Sequence, residues 1–219
     1  MIRSVSALLV GAALGGGAYA APLPAPALDP PDTAMRATAL LSGGCFWGMQ
    51  GVFEHVKGVI RVYAGYTGGA ADTAHYEQVS TGTTGHAESV EILFDPRVVS
   101  YGTILRVYFS DATDPTELDF QGPDQGPQYR GEIWVESPAQ RQVAAAYIAQ
   151  LSRAHVFGAP IVTRIDPAGA FYEAEGYHQD FMVRHPDNPY ILINDAPKLA
   201  ALQADFPALY RALPVRVTP

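Results

Sequence analysis

Cys45 sits in Gly43-Gly44-Cys45-Phe46-Trp47-Gly48 and is the only cysteine in 219 residues, so the chain cannot close an internal disulfide. An unpaired thiol in such a setting points to intermolecular pairing or to a reactive nucleophile. A lone cysteine beside aromatics is more often a small core residue. Glycines on both sides argue for close backbone approach instead, which a plain core position does not need. The spacing of Phe46, Met49 and Phe53 predicts a helix starting at the cysteine. At a helix N-terminus, free N–H groups and the dipole favour a thiolate.

A second group of reactive side chains lies in Thr84-Gly85-His86-Ala87-Glu88. Glu88 is either an ordinary strand-end charge or, if buried beside aromatics, a general acid with a raised pKa. His86-x-Glu88 matches half of a zinc deaminase signature, but that signature needs a later Pro-Cys-x-x-Cys and the chain has no second cysteine. The remaining histidines show no metal-ligand spacing, and no metal site is expected. Tyr76 and Tyr129 each follow a glycine-rich loop. By default such tyrosines cover a core edge; converging on one cleft, they would donate hydrogen bonds to a polar oxygen. Asp124, in Gln121-Gly122-Pro123-Asp124-Gln125-Gly126, reads first as a turn residue.

The elements that must position these groups alternate irregularly. Strands are expected over 36–41, 59–63, 89–94, 131–135 and 161–165, and helices from Phe46, over 100–109, over 174–184 and over 198–210. Gly65-Tyr66-Thr67-Gly68-Gly69 reads as a loop, and 111–130 as an irregular stretch long enough to be functional. Ser137-Pro138-Ala139-Gln140 supplies an N-cap, a proline at N1 and a capping-box glutamine for a helix to about residue 153. The pattern predicts one α+β domain with helices packed on a mixed sheet.

Residues 1–20 carry Arg3, an apolar run and Ala18-Tyr19-Ala20, the makings of a secretory signal peptide too short to span a membrane. Residues 21–35, with five prolines, read as an extended linker before a domain over 36–214. Export to a periplasm or to the outside of the cell is expected. A formal net charge of −8 and the lack of a basic stripe argue against nucleic acid as partner.

Taken together, the motifs resemble the peptide methionine sulfoxide reductase A family. The carriers are Gly44-Cys45-Phe46-Trp47-Gly48, Gly65-Tyr66-Thr67-Gly68-Gly69, Gly82-Thr83-Thr84-Gly85-His86-Ala87-Glu88, Phe94-Asp95-Pro96, Gly126-Pro127-Gln128-Tyr129-Arg130, and Phe171-Tyr172-Glu173-Ala174-Glu175 through His178-Gln179. The resemblance covers roughly 38–214 and implies a ferredoxin-like α+β core and a monomeric reductase that needs no cofactor. It implies Cys45 as the nucleophile, with Glu88, Tyr76 and Tyr129 acting on the sulfoxide oxygen. Phe46 and Trp47 become the methyl pocket, and Asp124 and His86 contribute to substrate binding. Thr113, Pro127 and Gly131 depart from residues usual in the family, and the recycling cysteines of many members are missing from the C-terminal region. With one cysteine, the Cys45 sulfenic acid must be reduced by an external thiol, either a thioredoxin-like protein or a small thiol. Two other readings are a hydrolase pairing Cys45 with His86 and an aspartate, and a binding module without turnover.

Overall fold

The computed structural model describes residues 22–217. Its frame is a six-stranded sheet in the order β7-β6-β1-β3-β2-β8, built from β1 (Ala37–Ser42), β2 (Val59–Thr67), β3 (Ala87–Phe94), β6 (Glu132–Val135), β7 (Arg164–Pro167) and β8 (Phe171–Glu173). Every pair is antiparallel except β6 with β7. A two-stranded ribbon, β4 (Phe120–Gln121) with β5 (Asp124–Gln125), stands apart. The helices are α1 (Phe46–Glu54), α2 (Tyr76–Val79), α3 (Tyr101–Val107), α4 (Pro138–Arg153), α5 (Phe181–Arg184) and α6 (Ala196–Asp205). This is an α+β fold.

Alternation along the central strands sorts the two faces. Ala39 and Leu41 of β1, with Val90 and Ile92 of β3, join Val52 and Phe53 of α1, Ile104 and Leu105 of α3, and Val143 and Tyr147 of α4 in the main core. Leu40, between Ala39 and Leu41, packs instead with Ala87 and Trp134 on the opposite face. Burial of some thirty apolar side chains at about 25 cal/mol per Å² supplies the main driving force.

Several elements differ from the sequence expectation. Gly65, Tyr66 and Thr67 are not a loop: they continue β2, pairing with Ser89, Glu88 and Ala87 on one side and with Glu173, Tyr172 and Phe171 on the other. A Cβ on Gly65 would lie 2.3 Å from the Tyr172 carbonyl, so this glycine serves strand-to-strand approach rather than a turn. The helix expected over 174–184 shrinks to α5, because the Gln179 side chain bonds the backbones of Ala64 and Ala174 and ties this stretch to β2. The strand expected over 161–165 is shifted to β7, and the helix expected over 198–210 starts at Ala196 and ends at Asp205.

The residues 22–35 contain no helix or strand, yet they are not a free linker. Arg106 of α3 donates to the Leu23 carbonyl, Tyr147 of α4 to the Pro24 carbonyl, and Gln150 of α4 bonds both Ala25 and Ala27. Asp29 accepts from Ser100 and from the Gly102 N–H. The signal-peptide expectation for 1–20 lies outside the described residues. Among those residues, no helix is long and apolar enough to cross a membrane.

Candidate active site

The end of β1 is fixed before the chain turns into Cys45. The Ser42 hydroxyl contacts that of Ser89 at 2.6 Å and accepts from the Trp134 indole, while Tyr108 donates to the Ser42 carbonyl. Gly44 then takes φ +91°, where a Cβ would sit 2.6 Å from that of Gln121. Only glycine fits, for both reasons. Cys45 occupies the N-cap position of α1, and the first helical N–H, that of Phe46, donates 3.0 Å to the Glu88 carboxyl.

Cys45, Phe46, Trp47, Tyr76, Glu88, Asp124, Tyr129 and Tyr190 line one cavity of about 220 Å³. Seven of the eight site residues expected from sequence thus meet in it. His86 does not: Gly69 donates to its Nδ1, its Nε2 contacts the Ala70 carbonyl, and its ring packs against Tyr66 and Tyr172. It holds the 69–70 turn, and its ring nitrogens are occupied there, which also removes the partner that a Cys45–His86 hydrolase requires.

Burial, together with the Asp124 carboxylate, pushes the Glu88 pKa up to about 8, against the opposing Phe46 N–H bond. Glu88 is therefore largely a carboxylic acid at neutral pH. Cys45 corrects the expectation of a resting thiolate. Burial first, then the carboxylates of Glu88, Asp195 and Asp124, raise it well above its ordinary value, and a hydrogen bond involving the Trp47 backbone only partly opposes them. The helix terminus is outweighed, and Cys45 rests as a thiol. Burial and the Glu88 charge likewise raise Tyr76 and Tyr129, so both phenols keep their protons as donors.

The supporting residues come from distant sequence. Glu175 accepts from the Tyr66 hydroxyl and from the Tyr76 N–H, which fixes the start of α2. Trp47 donates 3.0 Å to His178 Nδ1 and stacks on Phe181 with ring centroids 3.7 Å apart. His178 is also packed by Phe46 and Tyr76, and burial lowers its pKa to about 4, so it is a neutral acceptor. Tyr190 meets Trp47 edge-on and donates to Asp124. Sequence reading missed Tyr190, His178 and Glu175 as site residues. The last two stand inside a recognised motif, but nothing local shows that they reach Tyr76 and Trp47.

The family pattern described as peptide methionine sulfoxide reductase matches residues 37–208. The chain is similar to peptide methionine sulfoxide reductase MsrA 2 of Mesorhizobium japonicum, 58% identical over 180 residues, which cover 82% of this chain and 92% of that one. It is also similar to MsrA of Thermus thermophilus, 44% identical over 79% of this chain and 97% of the relative. Among solved structures, methionine sulfoxide reductase A of Corynebacterium diphtheriae superposes with TM-score 0.59 at 30% identity, covering 77% of this chain and 85% of its own. Reduced Mxr1 of Saccharomyces cerevisiae gives TM-score 0.61 at 28% identity, covering 73% and 91%.

Proposed function

The chain belongs to the peptide methionine sulfoxide reductase A family and reduces methionine sulfoxide in the repair of oxidised protein; from this premise we propose the roles of its residues. One observation carries the reading: a lone thiol and a buried carboxylic acid bound to the first N–H of the same helix line one aromatic cavity.

The substrate's methyl group lies against Phe46 and Trp47, and its sulfoxide oxygen turns to Glu88 and the phenols of Tyr76 and Tyr129. Sulfoxide oxygen leaves only once protonated, and Glu88 supplies that proton as general acid. The Cys45 sulfur attacks the sulfoxide sulfur, and its proton replaces the one Glu88 gives up. Oxygen moves from the substrate to Cys45, which becomes a sulfenic acid as methionine departs. The first external thiol forms a mixed disulfide with Cys45 and releases water; a second restores the Cys45 thiol. No step calls on a cofactor. A site with one wall for methyl and another for oxygen distinguishes the two sulfoxide epimers, and we assign the S form. Exported protein is the expected substrate, on the strength of residues 1–20.

Mixing the protein with each separate epimer and no thiol tests this reading. The S-sulfoxide should give one methionine per chain and a gain of one oxygen at Cys45. Methionine formed without change at Cys45, or equal yield from both epimers, would refute it.

A further inference from the structure

A second cavity, of about 290 Å³, also reaches Cys45. It shares only Cys45, Asp124 and Tyr190 with the aromatic cavity, and the hydrogen bond between the last two stands on the lining of both. Polar side chains of Asp111, Thr113, Asp114, Glu117, Gln121 and Lys198 contribute to the rest of its lining. Four carboxyl side chains, Asp124 included, thus face a single lysine. Thr113 is more than nine-tenths buried, with its hydroxyl beside the Tyr108 phenol. Nothing in the sulfoxide chemistry uses this cavity.

The second half of the reaction does need another approach. A thiolate displaces oxygen from a sulfenic acid by attacking the sulfur away from the S–O bond. A new S–S bond forms, the S–O bond breaks, the thiol is oxidised, and the oxygen leaves as water with a proton from Glu88. While Glu88 and the phenols hold that oxygen, the aromatic cavity is the wrong side for the incoming sulfur.

We infer that the polar cavity is where the resolving thiol reaches Cys45, and that its carboxylates select a thiol flanked by positive charge over an anionic one. This rests on the sulfenic acid mechanism proposed above. A small aminothiol and a cysteine between lysines in a protein segment share that chemistry.

The full chain, loaded with one equivalent of methionine sulfoxide, is assayed first for methionine and then for the rate of sulfenic acid loss per thiolate. The thiols are cysteamine, 2-mercaptoethanol and 2-mercaptoethanesulfonate, with short peptides carrying Lys-Cys-Lys or Glu-Cys-Glu. The cationic member of each set should react faster, with the advantage shrinking in high salt. In Asp114→Asn/Glu117→Gln the new amides keep their acceptor oxygens for Thr116 and Gly122, and the cationic-to-anionic rate ratio should fall about threefold to tenfold. Lys198→Gln should raise that ratio. Methionine yield should stay the same in all three proteins. Charge dependence in the small thiols as well as the peptides supports the aminothiol source; dependence in peptides alone supports the protein source. A ratio unchanged in both variants, or one favouring the anionic thiol throughout, overturns the inference and leaves the sulfoxide mechanism standing. Loss of methionine formation in the unmodified protein overturns both. If the double variant does not fold, Lys198→Gln decides alone.

Discussion

Helix α1 carries a buried carboxylic acid at each end, and the two ends do different things. At its start, Glu88 accepts from the Phe46 N–H, faces two phenols and the Cys45 thiol across a cavity, and titrates near 8. At its finish, Glu54 is pushed up to about 10, first by burial and then by the neighbouring Asp180 carboxyl, with Arg216 opposing. There the C-terminal tail closes over the helix: Val215 donates to the Glu54 carbonyl, Arg211 to that of His55, and Val217 to the Asp180 side chain. Both acids are more than nine-tenths buried. A raised pKa therefore marks a buried carboxyl, not by itself a catalytic one. The cavity and the neighbouring nucleophile distinguish the ends.

The largest expected effect is on the nucleophile. Cys45→Ser should abolish turnover while circular dichroism and melting remain near those of the parent, since a serine hydroxyl is a far weaker nucleophile at neutral pH. Activity in the folded variant would end the comparison, because the start of α1 would no longer be special.

Glu88→Gln comes next. It should keep substrate binding and lose on the order of 10²-fold in the single-turnover rate, as expected for removal of a general acid. In the parent, that rate should fall as pH rises through about 8, where the folded-state acid loses its proton. The variant should lack this limb. An identical pH profile in both proteins would take Glu88 out of the chemistry.

A smaller loss is expected in Tyr190→Phe, about threefold to tenfold in kcat/KM, because it frees Asp124 from its phenol and loosens one wall. Epimer-resolved kinetics would read it, and an unchanged value would make Tyr190 a bystander.

Glu54→Gln should leave turnover unchanged and alter only stability. The folded pKa of Glu54 lies above its unfolded value near 4.5, so the parent loses stability as pH rises from there towards about 10. The variant should have the flatter profile, gaining up to about 1.4 kcal/mol on the parent for each pH unit between 5 and 9 and little at pH 5, as urea unfolding would show. A fall in turnover would mean that the far end of α1 is coupled to the site.

The parts read correctly from sequence are those encoded locally. Cys45 within its glycines, the aromatic spacing of α1 and the Ser137 cap each report on their own turn of chain; the Ser137 hydroxyl does accept from the Gln140 N–H. The Gln140 side chain departs from a simple capping box, since it accepts from the Glu136 N–H and donates to the Thr38 carbonyl. What could not be read depends on contacts across the fold. Tyr190 joins the site through Asp124, His178 through the Trp47 indole, and Glu175 through the Tyr76 backbone. His86 was misplaced because it precedes β3, which begins at Ala87, and its ring is taken up by the Gly69 N–H and the Ala70 carbonyl of a distant turn, so proximity to Glu88 in sequence argued the wrong way. The glycines near Tyr66 signalled a turn, whereas β8 uses that bare edge for pairing.

The docking of residues 22–35 on α3 and α4 has a mechanical consequence. Tension applied ahead of Pro22, by a surface attachment or a fused tether, enters through the Arg106, Tyr147, Gln150 and Asp29 contacts and is borne first by the two helices. These bonds must slip before force reaches β1 and the turn that carries Cys45. A tether at this end of the chain should therefore leave the nucleophile slack, whereas one fixed to the C-terminal tail would pull directly on Glu54, Asp180 and the far end of α1.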